Sequence, residues 1–253
     1  MAKGAQPARV LVGPTEVAGI AHGLVEGFAA LGLEAEMLLE SEHPFAYSGP
    51  GAGRQCEALL PRWGRRTGTW ARRLPMSRAP LKFAAAAAHL LLAWPVMVYA
   101  LWRYEAFVFL YGKSFTNTAL ELWLLRRLGR PVVVFFVGSD ARPPYINGAL
   151  AGDSPARLAR DTRRTQRRVR RFERGGAICI NAPGTAHFHQ RTVVNWFAIG
   201  FPRSVAPEAA TGMLPAPRGA GVVRAVHSPS QPRVKGTAQI VAIVERLSPD
   251  HTE

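Results

Sequence analysis

Pro131-Val132-Val133-Val134-Phe135-Phe136-Val137-Gly138-Ser139-Asp140 is a fully apolar strand that opens on a proline and is closed by a glycine-serine-aspartate turn. Helical periodicity over residues 117–128, stopped by Gly129, precedes it. Before that helix lies another apolar strand, Ala106-Phe107-Val108-Phe109-Leu110. The alternation continues in both directions and is the signature of an α/β fold with a parallel sheet. Toward the N-terminus, residues 9–12 form a short buried strand. Gly13-Pro14-Thr15-Glu16 then turns into a helix that carries Val17, Ile20, Ala21, Leu24, Val25 and Phe28 on one face. Residues 34–39 make a second strand, and residues 41–80, rich in Gly, Pro and Arg, read as a long loop.

Toward the C-terminus the pattern predicts an arginine-rich helix over 155–174, a strand over 177–180, a short helix near 185–188 and a strand over 192–197. A Rossmann-like domain, a parallel sheet flanked by helices, is therefore expected over residues 1–200. A linker crowded with Pro, Gly and Ala follows over 201–221. Residues 222–253 carry a strand (222–227), a polar loop, Lys235-Gly236-Thr237 and an amphipathic helix (238–247). They read as the opening βα unit of a second Rossmann-like domain. One strand and one helix do not complete a parallel sheet, so this second domain is expected to be truncated.

The net charge is +15, from 32 Lys and Arg against 17 Asp and Glu, and it predicts an anionic partner: a membrane surface, a nucleotide or pyrophosphate, or nucleic acid. Two cysteines, Cys56 and Cys179, argue against a disulfide framework and for a reducing compartment. The first seven residues contain no apolar stretch of secretory type, which points to the cytoplasm. Residues 83–102 are apolar except for His89 and are long enough to span a bilayer, but Pro95 interrupts the run and a strand follows almost at once. Arg62, Arg65, Arg66, Arg72, Arg73, Arg78 and Lys82 lie before it, and Trp70, Trp94, Tyr99 and Trp102 lie in or beside it. That mixture suits the lipid–water interface, so peripheral attachment to an anionic membrane surface is expected rather than a spanning helix.

In open parallel sheets, ligands bind at the carboxyl ends of the strands, where strand order reverses. Polar turns follow the strands at residues 13–19, 112–114, 138–140 and 228–236, and together they predict a cleft along one rim. Four segments carry a family likeness: Val10-Leu11-Val12-Gly13-Pro14-Thr15-Glu16-Val17-Ala18-Gly19; Tyr104 to Phe109 ahead of Gly112-Lys113-Ser114-Phe115; Pro131 to Arg142; and His227-Ser228-Pro229-Ser230 followed by Val234-Lys235-Gly236-Thr237. In order and spacing the chain resembles the GT-B glycosyltransferases of the large retaining class, in which two Rossmann-like domains face each other across a cleft.

The resemblance implies transfer of a sugar from a nucleotide-sugar to a glycan or lipid-linked acceptor, with no metal and no other cofactor. It places Gly19, Lys235, Gly236 and Thr237 at the donor, and Gly112, Lys113, Ser114, Ser139 and Arg142 on the acceptor side of the cleft. Val137 stands where many relatives carry a histidine, so Asp140 becomes the candidate catalytic side chain. A lysine at a helix N-terminus suits a diphosphate leaving group, because it offsets charge that grows as the glycosidic bond breaks. Plainer roles stand beside these: Lys235 solvating a helix start, Gly19 in a tight turn without a ligand, and Asp140 as an N-cap or partner of Arg142. A non-catalytic acceptor- or membrane-binding module is the alternative function.

Gly112-Lys113-Ser114 mimics the end of a P-loop, but Phe107 occupies the position of its first glycine. His187-Phe188-His189 lacks a third ligand nearby for zinc, and no Gly-x-Ser-x-Gly elbow occurs. The nine arginines between 157 and 174 face either solvent or lipid phosphates. Nucleic acid is not the expected partner, since no aromatic is interleaved before Phe172 and no helix-turn-helix or RNP pattern accompanies them.

Overall fold

A computed structural model describes residues 8–40, 62–146, 153–200, 226–227 and 236–247. Most of the strand expected over 222–227, the linker, and Lys235 lie outside the described residues. The chain divides into two compact units, residues 1–141 with 166–204 and residues 142–165 with 205–253.

The first unit is α/β. Its strands are β1 (Arg9–Gly13), β2 (Glu34–Met37), β3 (Ala106–Leu110), β4 (Val132–Phe135), β5 (Ile178–Asn181) and β6 (Val194–Asn195). They form one six-stranded sheet in the order β2-β1-β3-β4-β5-β6, and every pairing is parallel. The helices are α1 (Ile20–Ala30), α2 (Arg62–Arg73), α3 (Ala79–Arg103), α4 (Ala119–Arg127), α5 (Pro155–Gly175, of which the part from Gln166 belongs to this unit) and α6 (Trp196–Ile199). In the second unit, α7 (Thr237–Leu247) leaves Ile240, Val241, Ile243, Val244 and Leu247 exposed.

The central strands are apolar on both faces because helices cover both faces. Leu11, Phe107, Phe109, Val132, Val134 and Phe136 pack against Met97 and Ala100 of α3, Leu122 and Leu125 of α4, and Val169 and Phe172 of α5. The intervening residues Val10, Val12, Val108, Leu110, Phe135 and Ile180 pack against Ile20 and Ala21 of α1. The alternation of pleated side chains thus separates one helix layer, α3–α4–α5, from the other. Arg103 and the Tyr104 hydroxyl both bond Glu36, tying the end of α3 to β2.

Three local expectations are corrected. Part of the presumed loop over 41–80 is helix α2, whose residues are mostly polar or glycine. It exists because it lies against α3, so closely that a Cβ on Gly68 would come within 2.7 Å of His89 Nδ1. Pro95 does not interrupt α3, which runs unbroken from Ala79 to Arg103. A mid-helix proline loses one hydrogen bond, but Ala93, Val96, Met97 and Ala100 are buried around it and hold the helix by tertiary packing. Finally, the strand expected over 192–197 is only two residues long, because Asn195 Oδ1 accepts the Phe197 N–H (2.9 Å) and turns the chain into α6.

Candidate functional site

The chain passes from β1 to β2 on one side, then crosses to β3 on the other. Strand order therefore reverses between β1 and β3, and a crevice is expected outside their carboxyl ends. The segments that follow β1, β3 and β4 stand side by side along this rim. Among the predicted residues of the first unit, the fold brings Gly19, Gly112, Lys113, Ser114, Ser139 and Asp140 to one edge of the sheet.

Their chemistry is largely turned inward. After β1, Ala18 and Gly19 have φ of 54° and 82°, and Gly19 caps α1 with open space where a side chain would stand. The N-terminus of α1 is already occupied. Glu16, buried, accepts the N–H groups of Ala21 (3.3 Å) and His22 (3.2 Å), filling the place where this fold type often receives a phosphate.

After β3, Gly112 has φ of 55°, and a Cβ there would press on Arg168 Cδ (2.7 Å) and Phe136 Cε1 (2.8 Å). The loop beyond is organised by Glu121, the third residue of α4, which is fully buried. Its carboxylate accepts from Ser114 Oγ (2.7 Å), Phe115 N (3.0 Å), Thr116 N (2.9 Å) and Thr116 Oγ1 (2.7 Å). Ser114 therefore points into the protein. Lys113 is half-buried, with Nζ 5.8 Å from the centre of the Tyr111 ring.

After β4, Asp140 is also fully buried. Its carboxylate accepts the N–H groups of Val137 (3.1 Å) and Gly138 (2.8 Å), and its carbonyl accepts from Arg168 Nη1 (3.3 Å). Burial pushes its pKa up to about 6, against the lowering by those N–H groups and by Arg168. Asp140 thus holds the turn through N–H groups that precede it in the chain, unlike an N-cap, whose side chain accepts from N–H groups further on. Arg142 is half-buried and belongs to the second unit. In that unit Gly236 has φ of 69°, and Thr237 Oγ1 lies 2.8 Å from His227 Nε2 at the start of α7.

The groups that do face outward at the rim are Ser139 and Tyr111, whose hydroxyls meet at 2.6 Å and join the β4 turn to the β3 turn. Sequence reasoning passed over Tyr111; its φ of 59°, unusual for an aromatic residue, is invisible in a sequence. A second unforeseen network lies at the end of β5. Asn181 Oδ1 accepts from Ala182 N and Thr185 Oγ1, so its amide nitrogen donates to His189 Nε2 (2.9 Å). His189 Nδ1–H then donates to Glu173 (3.2 Å). Burial lowers the histidine pKa, against the pull of Glu173, and both ring nitrogens are engaged internally. His187 lies on a short 3₁₀ turn, Pro183–Phe188, and His189 caps its end.

Arginines complete the geometry. Arg171 donates to the carbonyls of Asn117 and Gly112 (3.2 Å to the latter) and stacks 5.0 Å from the Phe172 ring. From this point a groove of about 590 Å³ runs between α4 and α5, lined by Ala119, Trp123, Arg126, Arg167, Arg170 and Arg174 among others. Comparison with protein-family models, with curated proteins and with solved structures found no match.

Proposed function

We propose that the chain belongs to a nucleotide-sugar-dependent glycosyltransferase that transfers a sugar to a glycan or lipid-linked acceptor at a membrane surface. The observation that carries this is the reversal of strand order between β1 and β3, with the 13–19 and 111–118 segments following those two strands. Tyr111, Lys113 and Ser139 supply polar contacts on the acceptor side, where hydroxyls and a cation suit a sugar. Glu121 and Asp140 are positioning residues: they fix the two turns that present those groups. The donor contacts expected at Gly19, and those expected at Lys235, Gly236 and Thr237, rest on the family likeness alone.

A second possibility, an acceptor- or membrane-binding module without catalysis, is favoured by one specific observation. Glu16 fills the N-terminus of α1, so the turn after β1 offers no free helix end for a donor phosphate. Incubation of the full chain with a panel of nucleotide-sugars, with nucleotide release followed by chromatography, separates the two. Transfer or hydrolysis that falls sharply in Tyr111→Phe/Ser139→Ala supports the transferase. Absence of release and of calorimetric donor binding across the panel sinks it in favour of the module.

A further inference from the structure

The layer formed by α2, α3, α4 and the C-terminal half of α5 has an outer surface that takes no part in the rim. Between residues 62 and 103 the chain contains no Asp or Glu at all. The only carboxylates on α4 and on α5 beyond Gln166 are Glu121 and Glu173, and both are buried. The exposed surface of this layer is thus apolar and cationic together.

Its apolar part is a stripe on α3. Ala84, Ala87, Leu91, Pro95, Val98 and Trp102 recur every three or four residues, and all are exposed, Leu91 by 72% and Trp102 by 79%. Leu120 and Trp123 on α4 are exposed as well. Such a stripe is costly to hydrate, and contiguous apolar patches of this kind mark interaction sites. The opposite face of α3 is committed: Met97 and Ala100 are fully buried against the sheet. By length and composition alone its 25 residues could cross a membrane. A helix with one face in a protein core cannot be surrounded by lipid tails, so α3 suits a position lying in an interface rather than across it.

The cationic part is the groove between α4 and α5. Arg126, Arg167, Arg170 and Arg174 have no ion-pair partner among the described residues, and no carboxylate is among the groove's lining residues. Guanidinium groups crowded in this way repel one another, and a phosphate accepting their bidentate bonds relieves that repulsion. Trp70 on α2 and Trp102 and Trp123 on the other helices are exposed aromatics of the kind enriched at headgroup depth.

We propose that this layer docks on a bilayer rich in anionic phospholipid, with the α3 stripe entering the interface and the α4–α5 groove taking lipid phosphates. This deepens the membrane element of the function proposed above and rests on it. The two fail separately, since vesicle binding needs no sugar transfer and donor turnover in solution needs no vesicle. The test is co-sedimentation of the full chain with vesicles of phosphatidylcholine alone and of phosphatidylcholine mixed with phosphatidylglycerol. Binding is expected to the mixed vesicles only. Arg167→Gln/Arg170→Gln/Arg174→Gln should weaken it at least about tenfold, and Leu91→Gln/Val98→Gln/Trp102→Gln should abolish the part that survives high salt. Arg157→Gln/Arg160→Gln/Arg163→Gln removes the same charge from the same helix outside the groove and should change partitioning by less than about twofold. Equal loss in that control, equal binding to neutral vesicles, or indifference to the α3 substitutions would overturn the proposal. So would single-stranded RNA that binds through the groove arginines more tightly than the mixed vesicles do.

Discussion

Replacing Glu121 by alanine is the sharpest test of how the rim is built. The carboxylate receives two hydroxyls, which can rotate to other partners, and two backbone N–H groups, Phe115 and Thr116, which cannot. The site is closed to solvent. Losing a charged acceptor from a buried donor costs about 1.5–3 kcal/mol, so two stranded N–H groups cost about 3–6 kcal/mol. That is a large share of the roughly 5–15 kcal/mol that holds an ordinary domain folded. Glu121→Gln keeps the shape and one acceptor oxygen but turns an amide N–H₂ toward a donor, and it should cost about half as much. Urea unfolding followed by circular dichroism gives the energies, and hydrogen exchange at Phe115 and Thr116 reports the loop directly. An alanine variant that loses less than about 1 kcal/mol, or unchanged exchange at those two amides, would refute this account of the loop.

Asp140 binds its proton more tightly folded (pKa about 6) than at its ordinary value of 3.8, so its contribution favours folding at low pH and is lost as pH rises through this window. The effect amounts to roughly 3 kcal/mol. Since His189, with its lowered pKa, works in the opposite sense below pH 6.5, the check is the difference in stability between the native chain and Asp140→Asn at pH 4 and pH 7. Gly112→Ala forces a side chain into the left-handed region and against the Phe136 ring, and should cost about 1–3 kcal/mol in a urea titration while disturbing the Tyr111–Ser139 contact. Met97→Ala, in the core, should lower stability by about 2–5 kcal/mol; Leu91→Gln, on the exposed stripe of the same helix, should leave it within about 0.5 kcal/mol. Parallel thermal melts distinguish these two faces of α3.

The sheet was legible in the residues alone. Runs such as Phe107-Val108-Phe109-Leu110 and Val132 to Phe136 are apolar at every position, and only a strand covered on both faces can bury all of them, so parallel pairing and flanking helices follow from local composition. The turns after β1, β3 and β4 could be marked as the polar rim on the same grounds. What those turns do was set by the packing around them, because burial depends on what lies over a residue. Glu16 and Glu121 carry no mark of burial in the sequence, and Asp140 was expected as a catalytic side chain, yet each is enclosed and spends its charge on backbone N–H groups of its own neighbourhood. Tyr111 and Ser139 are 28 residues apart in sequence, and their meeting depends on β3 and β4 pairing in register. Helix α2 was hidden for the same reason: its arginine-rich residues offer few apolar positions, and its stability comes from lying against α3. The separation of positive charge from carboxylate across the α2–α5 layer is written in the residues, but only the fold turns those four segments to one side.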